Sequence, residues 1–218
     1  MQRCLALELV STIRHDGNGG VLDDLATIEQ AAAWLTEHRE PPADATARLI
    51  VDEQLHGEII ALRRAARTLF ARAVSPAPPS PADAHRLMPA AEALELLNAL
   101  AAVEPVLPQL DWPGDGEPSV RLVSSVVDTR TGVVAALARA VIDFLAGPDR
   151  AQLRACKAPR CVRYFLKTHG RQEWCKPSCG NRARVARHYG RQRAAAGAVT
   201  DNLRRVRTSG RTNASADG

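Results

Sequence analysis

Apolar residues in the first 150 positions recur mostly at intervals of three, four and seven, the spacing that lines one side of an α-helix. "TIEQAAAWLTEHRE", residues 27–40, opens with Thr27 and Gln30 at capping-box separation and runs into Pro41 and Pro42, which stop it. From about Ala45 to Ala73, Leu49, Leu55, Ile59, Leu62, Leu69 and Phe70 predict one long amphipathic helix in spite of Gly57. "VSPAPPSPADA", 74–84, cannot continue that helix, because proline supplies no N–H and crowds the preceding turn. Helical spacing returns over 89–105 and again over 131–146, where Gly147 and Pro148 form a stop. Between these two helices the pattern changes. Two short apolar runs flank "WPGDGEP", 112–118, and suggest a small β-hairpin.

The expected fold is therefore mainly α, a helical domain over residues 1–149 that carries a small hairpin. Its apolar positions read as core, and its Glu, Asp and His residues read as solvated groups on polar faces. His15, His38, His56 and His85 share no metal-site spacing. No nucleophile–base pair and no phosphate-binding loop is visible, so an enzyme is not expected. "MQRCLALELVSTIRHDG" has an apolar stretch broken by Glu8 and no cleavage site after it, and no apolar run could span a bilayer. The expectation is a cytoplasmic protein without membrane contact.

Charge divides the chain. Residues 1–149 hold 12 Lys+Arg and 21 Asp+Glu, a net of −9, whereas residues 150–218 hold 17 against 3, a net of +14. Such asymmetry points to two modules, of which the second meets a polyanion.

The basic half also holds four of the five cysteines, in "CKAPRCVRYFLKTHGRQEWCKPSCGNRARVARHYGRQR", residues 156–193. Cys156, Cys161, Cys175 and Cys179 form C-x4-C, thirteen residues, C-x3-C. Two close pairs brought together by a hairpin supply the four soft ligands of a tetrahedral zinc site. In the spacer "VRYFL" is β-prone, "KTHG" can turn and "RQEW" can return, and Pro177 suits the first turn of a following helix. Knuckle, hairpin and ligand pair at a helix start outline a treble-clef-like finger over 150–195. Two disulfides and a redox-sensitive zinc switch are the competing readings, the first disfavoured in a reducing compartment. All four ligands being cysteine argues for one structural zinc without an open position. His169 and His188 could replace a cysteine ligand, a disfavoured alternative because the four cysteines already complete the set and His169 falls at the expected turn.

At 100° per residue, Arg184, Arg187, His188 and Arg191 share one face of the helix after the motif, suited to phosphate contacts. Lys167 and Arg171 at the finger turn extend it. Val185, Ala186 and Tyr189 form a second face, expected to pack, and Arg182 lies on that side. Trp174 is expected to close the hairpin over the metal, Gly180 to let backbone approach the thiolates, and Asn181 to hydrogen-bond across the knuckle. Residues 196–218, small, polar and basic, read as a tail that is disordered when free.

"CKAPRC…FLKTHGRQEWCKPSCGNRARVARHY" resembles the CGNR zinc-finger family of bacterial transcription regulators, named for the tetrapeptide Cys179–Arg182. "LALELVSTI", "DLATIEQAAAWL", "LRRAARTLFARAV", "LNALAAV" and "ARAVIDFLAGPDRAQLRAC" are similar to the stress-induced regulator domain that accompanies this finger. The resemblance implies zinc on the four cysteines, DNA binding by the finger and no enzymatic activity; a zinc-dependent RNA- or protein-interaction module is the alternative. It leaves the effector, the protein partner and the oligomeric state open. The chain departs from the family at Ser11, where Asn is frequent, in the more basic turn "FLKTHG", and in the three-residue gap between Cys175 and Cys179.

Overall fold

The computed structural model describes residues 4–16, 18, 20–38, 49–83, 86–124 and 129–209, with backbone only for Thr129 and for 195–209. Pro41, Pro42, the start of the expected long helix and His85 lie outside these residues. The order is α1 (Leu5–Ser11), β1 (Ile13–His15), β2 (Val21–Asp23), α2 (Ile28–His38), α3 (Glu53–Ala73), α4 (Ala90–Ala102), β3 (Val106–Asp111), β4 (Ser119–Ser124), α5 (Thr129–Ala146), β5 (Leu153–Ala155), β6 (Tyr164–Leu166) and α6 (Pro177–Ser209). The fold is mainly α with three two-stranded antiparallel sheets.

Local chemistry sets the helix boundaries. The capping box at α2 is formed: the Thr27 N–H donates to Gln30 Oε1 at 3.1 Å and the Gln30 N–H to Thr27 Oγ1 at 3.3 Å. Helix α3 starts at Glu53 rather than near Ala45, because Asp52, extended at φ −105° and ψ 179°, caps it by accepting the Leu55 N–H at 2.8 Å. Gly147 ends α5, and a Cβ there would stand 2.7 Å from the Asp143 carbonyl oxygen. The expected hairpin is β3–β4, with Leu110 opposite Val120 and Pro108 opposite Leu122. Sequence periodicity did not reveal β1–β2: three-residue strands are too short to alternate, and the turn depends on Asp16 accepting the N–H groups of Asn18 and Gly20.

The chain divides into two compact units, Met1–Cys175 and Lys176–Gly218. In the first, α3 is central: Leu55, Ile59, Leu62, Ala66 and Phe70 are fully buried with Leu9 and Val10 of α1 and Val134 and Val141 of α5. Leu153, Ala155 and Tyr164 belong to the same core, so the expected boundary at 149/150 falls inside this unit. Phe70 packs against Phe144 with the rings tilted by 30° and 4.9 Å between centroids, and meets the Tyr164 ring edge-on at 5.6 Å. In the second unit, α6 runs to Ser209. Residues 196–209, expected as a disordered tail, continue the helix, in keeping with the high helix propensity of Ala194, Ala195, Ala196 and Ala198.

Not every charge lies on a polar face. Asp83 and Glu104 are buried, and so are Arg63 and Arg67 on the inner side of α3. Arg67 donates to both Asp83 oxygens (2.6 and 3.1 Å), to Ser80 Oγ (3.2 Å) and to the carbonyls of Val10 and Val162. Tyr164 completes the cluster by donating to Asp83 Oδ2 at 2.7 Å; burial first, and the adjacent carboxylate second, hold its phenol above the ordinary value, so it stays a neutral donor. Glu104 pairs with Arg139 at 2.7 Å.

Arg67→Ala strands a buried carboxylate and is expected to lower the unfolding free energy by about 3–5 kcal/mol in urea titrations. Asp83→Leu in the same chain should recover part of that loss, and no recovery would show that the guanidinium's other bonds dominate. Asp23 offers a pH test. Burial raises its pKa, but the Arg63 hydrogen bonds and the Leu25 N–H outweigh it and leave the carboxyl below its usual range. A depressed native pKa gives stability that is complete above the unfolded value near ~3.9 and lost as pH falls through the native one. Asp23→Asn is expected to be less stable than the parent at pH 7, with a shallower acid slope below pH ~4; parallel slopes would rule out this contribution.

Candidate metal centre

The first cysteine pair sits on a short hairpin. β5 pairs with β6, Leu153 opposite Leu166 and Ala155 opposite Tyr164, and Cys156 and Cys161 lie in the connection between them. The Cys156 N–H donates to the Arg163 carbonyl at 2.9 Å and the Cys161 N–H to Ala158 at 3.0 Å, closing a knuckle. Arg160, at φ 62°, takes the left-handed turn position before Cys161, at a cost of roughly 1–2 kcal/mol for a residue with a Cβ.

This corrects the expected finger hairpin. β-prone Tyr164–Leu166 does form a strand, but its partner is Leu153–Ala155 upstream, and Arg171–Trp174 does not return as a strand. Leu153 and Ala155 are buried, so the core holds β5 in place, whereas Arg171 and Glu173 are exposed. The turn falls near His169, where the Gln172 N–H donates to the His169 carbonyl at 3.0 Å, and the chain then returns as loop to Cys175.

Cys179 is fully buried in the first turn of α6, which opens with Pro177 at its first position, as expected. The sulfurs of Cys156, Cys161, Cys175 and Cys179 lie within 4.8 Å of one another, and Cys161 and Cys175 are 3.7 Å apart. Zinc–sulfur bonds of about 2.3 Å in a tetrahedron separate neighbouring sulfurs by about 3.8 Å. The four thiols are therefore placed to hold one ion, and an all-sulfur set fits one structural zinc. No other group of three or more potential ligands occurs among the described residues.

The thiols are polarised toward that role. Hydrogen bonds from Cys161 and Cys175, with the Cys175 N–H at 3.5 Å, draw the Cys156 thiol down to about 2, while Cys161 is pushed up to about 11 by its bond to Cys156. Cys175 is likewise raised, first by Cys156 and then by Cys161. A divalent ion among them lets all the thiols ionise. Arg182 adds positive charge, its Nη2 donating to Cys179 Sγ at 3.1 Å. That bond is a role that spacing alone did not assign, although Cys179 and Arg182 stand three apart on one helix, within reach of each other.

Arg184, Arg187, His188 and Arg191 are exposed on α6, with Arg184 donating to Asn181 Oδ1 at 3.2 Å. Asn181 is exposed, Gly180 half-buried, Trp174 half-buried, Lys167 half-buried and Arg171 exposed. The second helix face does not pack as expected: Val185 and Tyr189 are 53% and 60% exposed, and Ala186 is exposed. The buried stripe runs instead through Cys179 and Ala183, four apart.

Residues 4–148 match the family described as putative stress-induced transcription regulators, and residues 152–192 match the CGNR zinc finger. The chain belongs to this regulator family. No curated protein matches it significantly. The CGNR match begins one residue before β5 and takes in all four cysteines and the first turns of α6. In this chain the Arg of the tetrapeptide, Arg182, thus binds the sulfur of Cys179.

Purified protein is expected to carry one zinc per chain by elemental analysis, and Cys175→Ser or Cys179→Ser to lose it. A finger with all four cysteines replaced by Ser that kept its helicity and proteolytic protection would eliminate the structural role. Arg182→Met should retain zinc but transfer it to a chelator roughly 10–100 times more readily, the usual effect of removing a group that holds a ligand.

Proposed function

We propose that the protein is a cytoplasmic, non-enzymatic transcription regulator of bacterial stress responses that binds DNA through α6. The observation that carries this reading is the exposed row Arg184, Arg187 and Arg191 on a helix whose first turn supplies the zinc ligand Cys179. Spacings of three and four keep these arginines on one side, and a helix about 10–12 Å across enters the ~12 Å major groove. Over its 33 residues α6 extends about 50 Å, enough to follow several phosphates. The surplus of positive charge after residue 150 supplies the sequence-independent part of the affinity. No helix among the described residues is long and apolar enough to cross a membrane. The helical module would receive the stimulus, through an effector or a protein partner.

Mobility shifts with genomic DNA fragments at graded salt test the reading. The parent is expected to shift DNA, and replacing Arg184, Arg187 and Arg191 with Gln should weaken binding on every fragment and reduce the salt slope by about one per lost contact. Arg182→Met, with zinc retained, should leave the slope unchanged. No shift near physiological salt would defeat the DNA reading, and tighter binding to RNA would replace it.

A further inference from the structure

The hairpin β3–β4 is a small sheet with an uncovered apolar face. Antiparallel register places Pro108, Leu110, Val120 and Leu122 on one side, Leu110 directly opposite Val120 and Pro108 opposite Leu122, and Trp112 follows in the alternation. The other side carries Gln109, Asp111, Ser119 and Arg121, with Leu107 and Val123 at its base. Leu110, Trp112, Val120 and Leu122 are 69%, 64%, 69% and 52% exposed. They leave roughly 500 Å² of apolar surface in one patch, near the upper limit for a monomer. An isolated two-stranded hairpin is marginal in water, so this arrangement calls for a partner.

We propose that the partner is a second copy of this chain, packed face to face on the hairpin about a two-fold axis. Area supports it: two such faces cover roughly 1,000 Å² together, the size at which specific interfaces begin. Chemistry supports it as well. The face holds no charge that a partner of opposite sign could match, and an apolar surface is complementary to itself. The edges are poor alternatives, because Pro108 removes a donor from β3 and Arg121 sets a charge on β4. The acidic tip, Asp111, Asp115 and Glu117, fixes the axis: it runs perpendicular to the strands, so that each tip lies at the other hairpin's base and the like charges stay apart. This inference does not rest on DNA binding by α6.

Light scattering on the zinc-loaded full chain tests it. The parent should have twice the 23.5 kDa chain mass at about 50 μM, well above a micromolar dissociation constant. Leu110→Glu and Val120→Glu should each give the monomer with unchanged circular dichroism. Leu107→Glu, equally exposed at 70% but on the opposite side, should remain dimeric. If the charged variants misfold, Leu122→Thr serves in their place and should raise the dissociation constant at least tenfold. A monomeric parent, a dimer that survives both glutamates, or a dimer lost only in Leu107→Glu would each overturn the proposal.

Discussion

The buried guanidinium of Arg67 is the interaction on which the first unit depends. Its donors reach the carbonyl of Val10 at the end of α1, Ser80 and Asp83 within the proline-rich connection, and the carbonyl of Val162 beside Cys161. A charge out of water is tolerable only when every donor is engaged, so these three segments and α3 itself have to be in place together. Ser80 strengthens the arrangement, its hydroxyl donating to Val162 at 2.8 Å. The Tyr164 ring lies 5.4 Å from the guanidinium and gives it an aromatic neighbour as well as a shared acceptor in Asp83. Arg63, one turn earlier on α3, does the same for Thr12 and Asp23 on a smaller scale.

One consequence concerns where a module begins. The two family matches meet near residue 150, but Leu153, Ala155 and Tyr164 are packed with α1, α3 and α5, and the compact unit runs to Cys175. The knuckle carrying Cys156 and Cys161 is therefore built on the core of the helical domain. Its ligands are oriented by packing before any ion arrives, which lowers the ordering that metal binding must supply for that half of the set. Of the four ligands Cys175 has the least protein around it: it is half-buried in loop, after a turn whose residues 168–171 are exposed, whereas Cys179 is buried.

Much of this was legible because local chemistry dictates it. A capping pair three apart, a glycine stop before proline, two apolar runs around "WPGDGEP" and four cysteines in two pairs each act over a few residues, and each is found as expected. What failed to show were partnerships over long separations. Tyr164–Leu166 is recognisably a strand, yet nothing in "LRA" at 153–155 marks it as the partner, because three residues carry no alternation. Asp83 resembles any acidic loop residue until Arg67 is seen beside it. The faces of α6 show a related limit: Val185 and Tyr189 outrank Cys179 and Ala183 on an apolar count, yet Cys179 and Ala183 are the buried pair.

Arg182 shows how the same rule separates arginines that look alike in sequence. Four thiolates around a divalent ion carry a net charge of −2, and burying that excess at Cys156, Cys161 and Cys179 needs compensation nearby. A cation three residues beyond Cys179 on the same helix can reach back to its sulfur, and a planar guanidinium can do so with one N–H while others remain for different acceptors. Arg184, Arg187 and Arg191, two, five and nine residues beyond Arg182, are exposed on α6 and remain available to an anion outside the protein. Position relative to a buried charge, rather than residue type, thus divides one basic run into a part that stabilises the metal site and a part that can act beyond it.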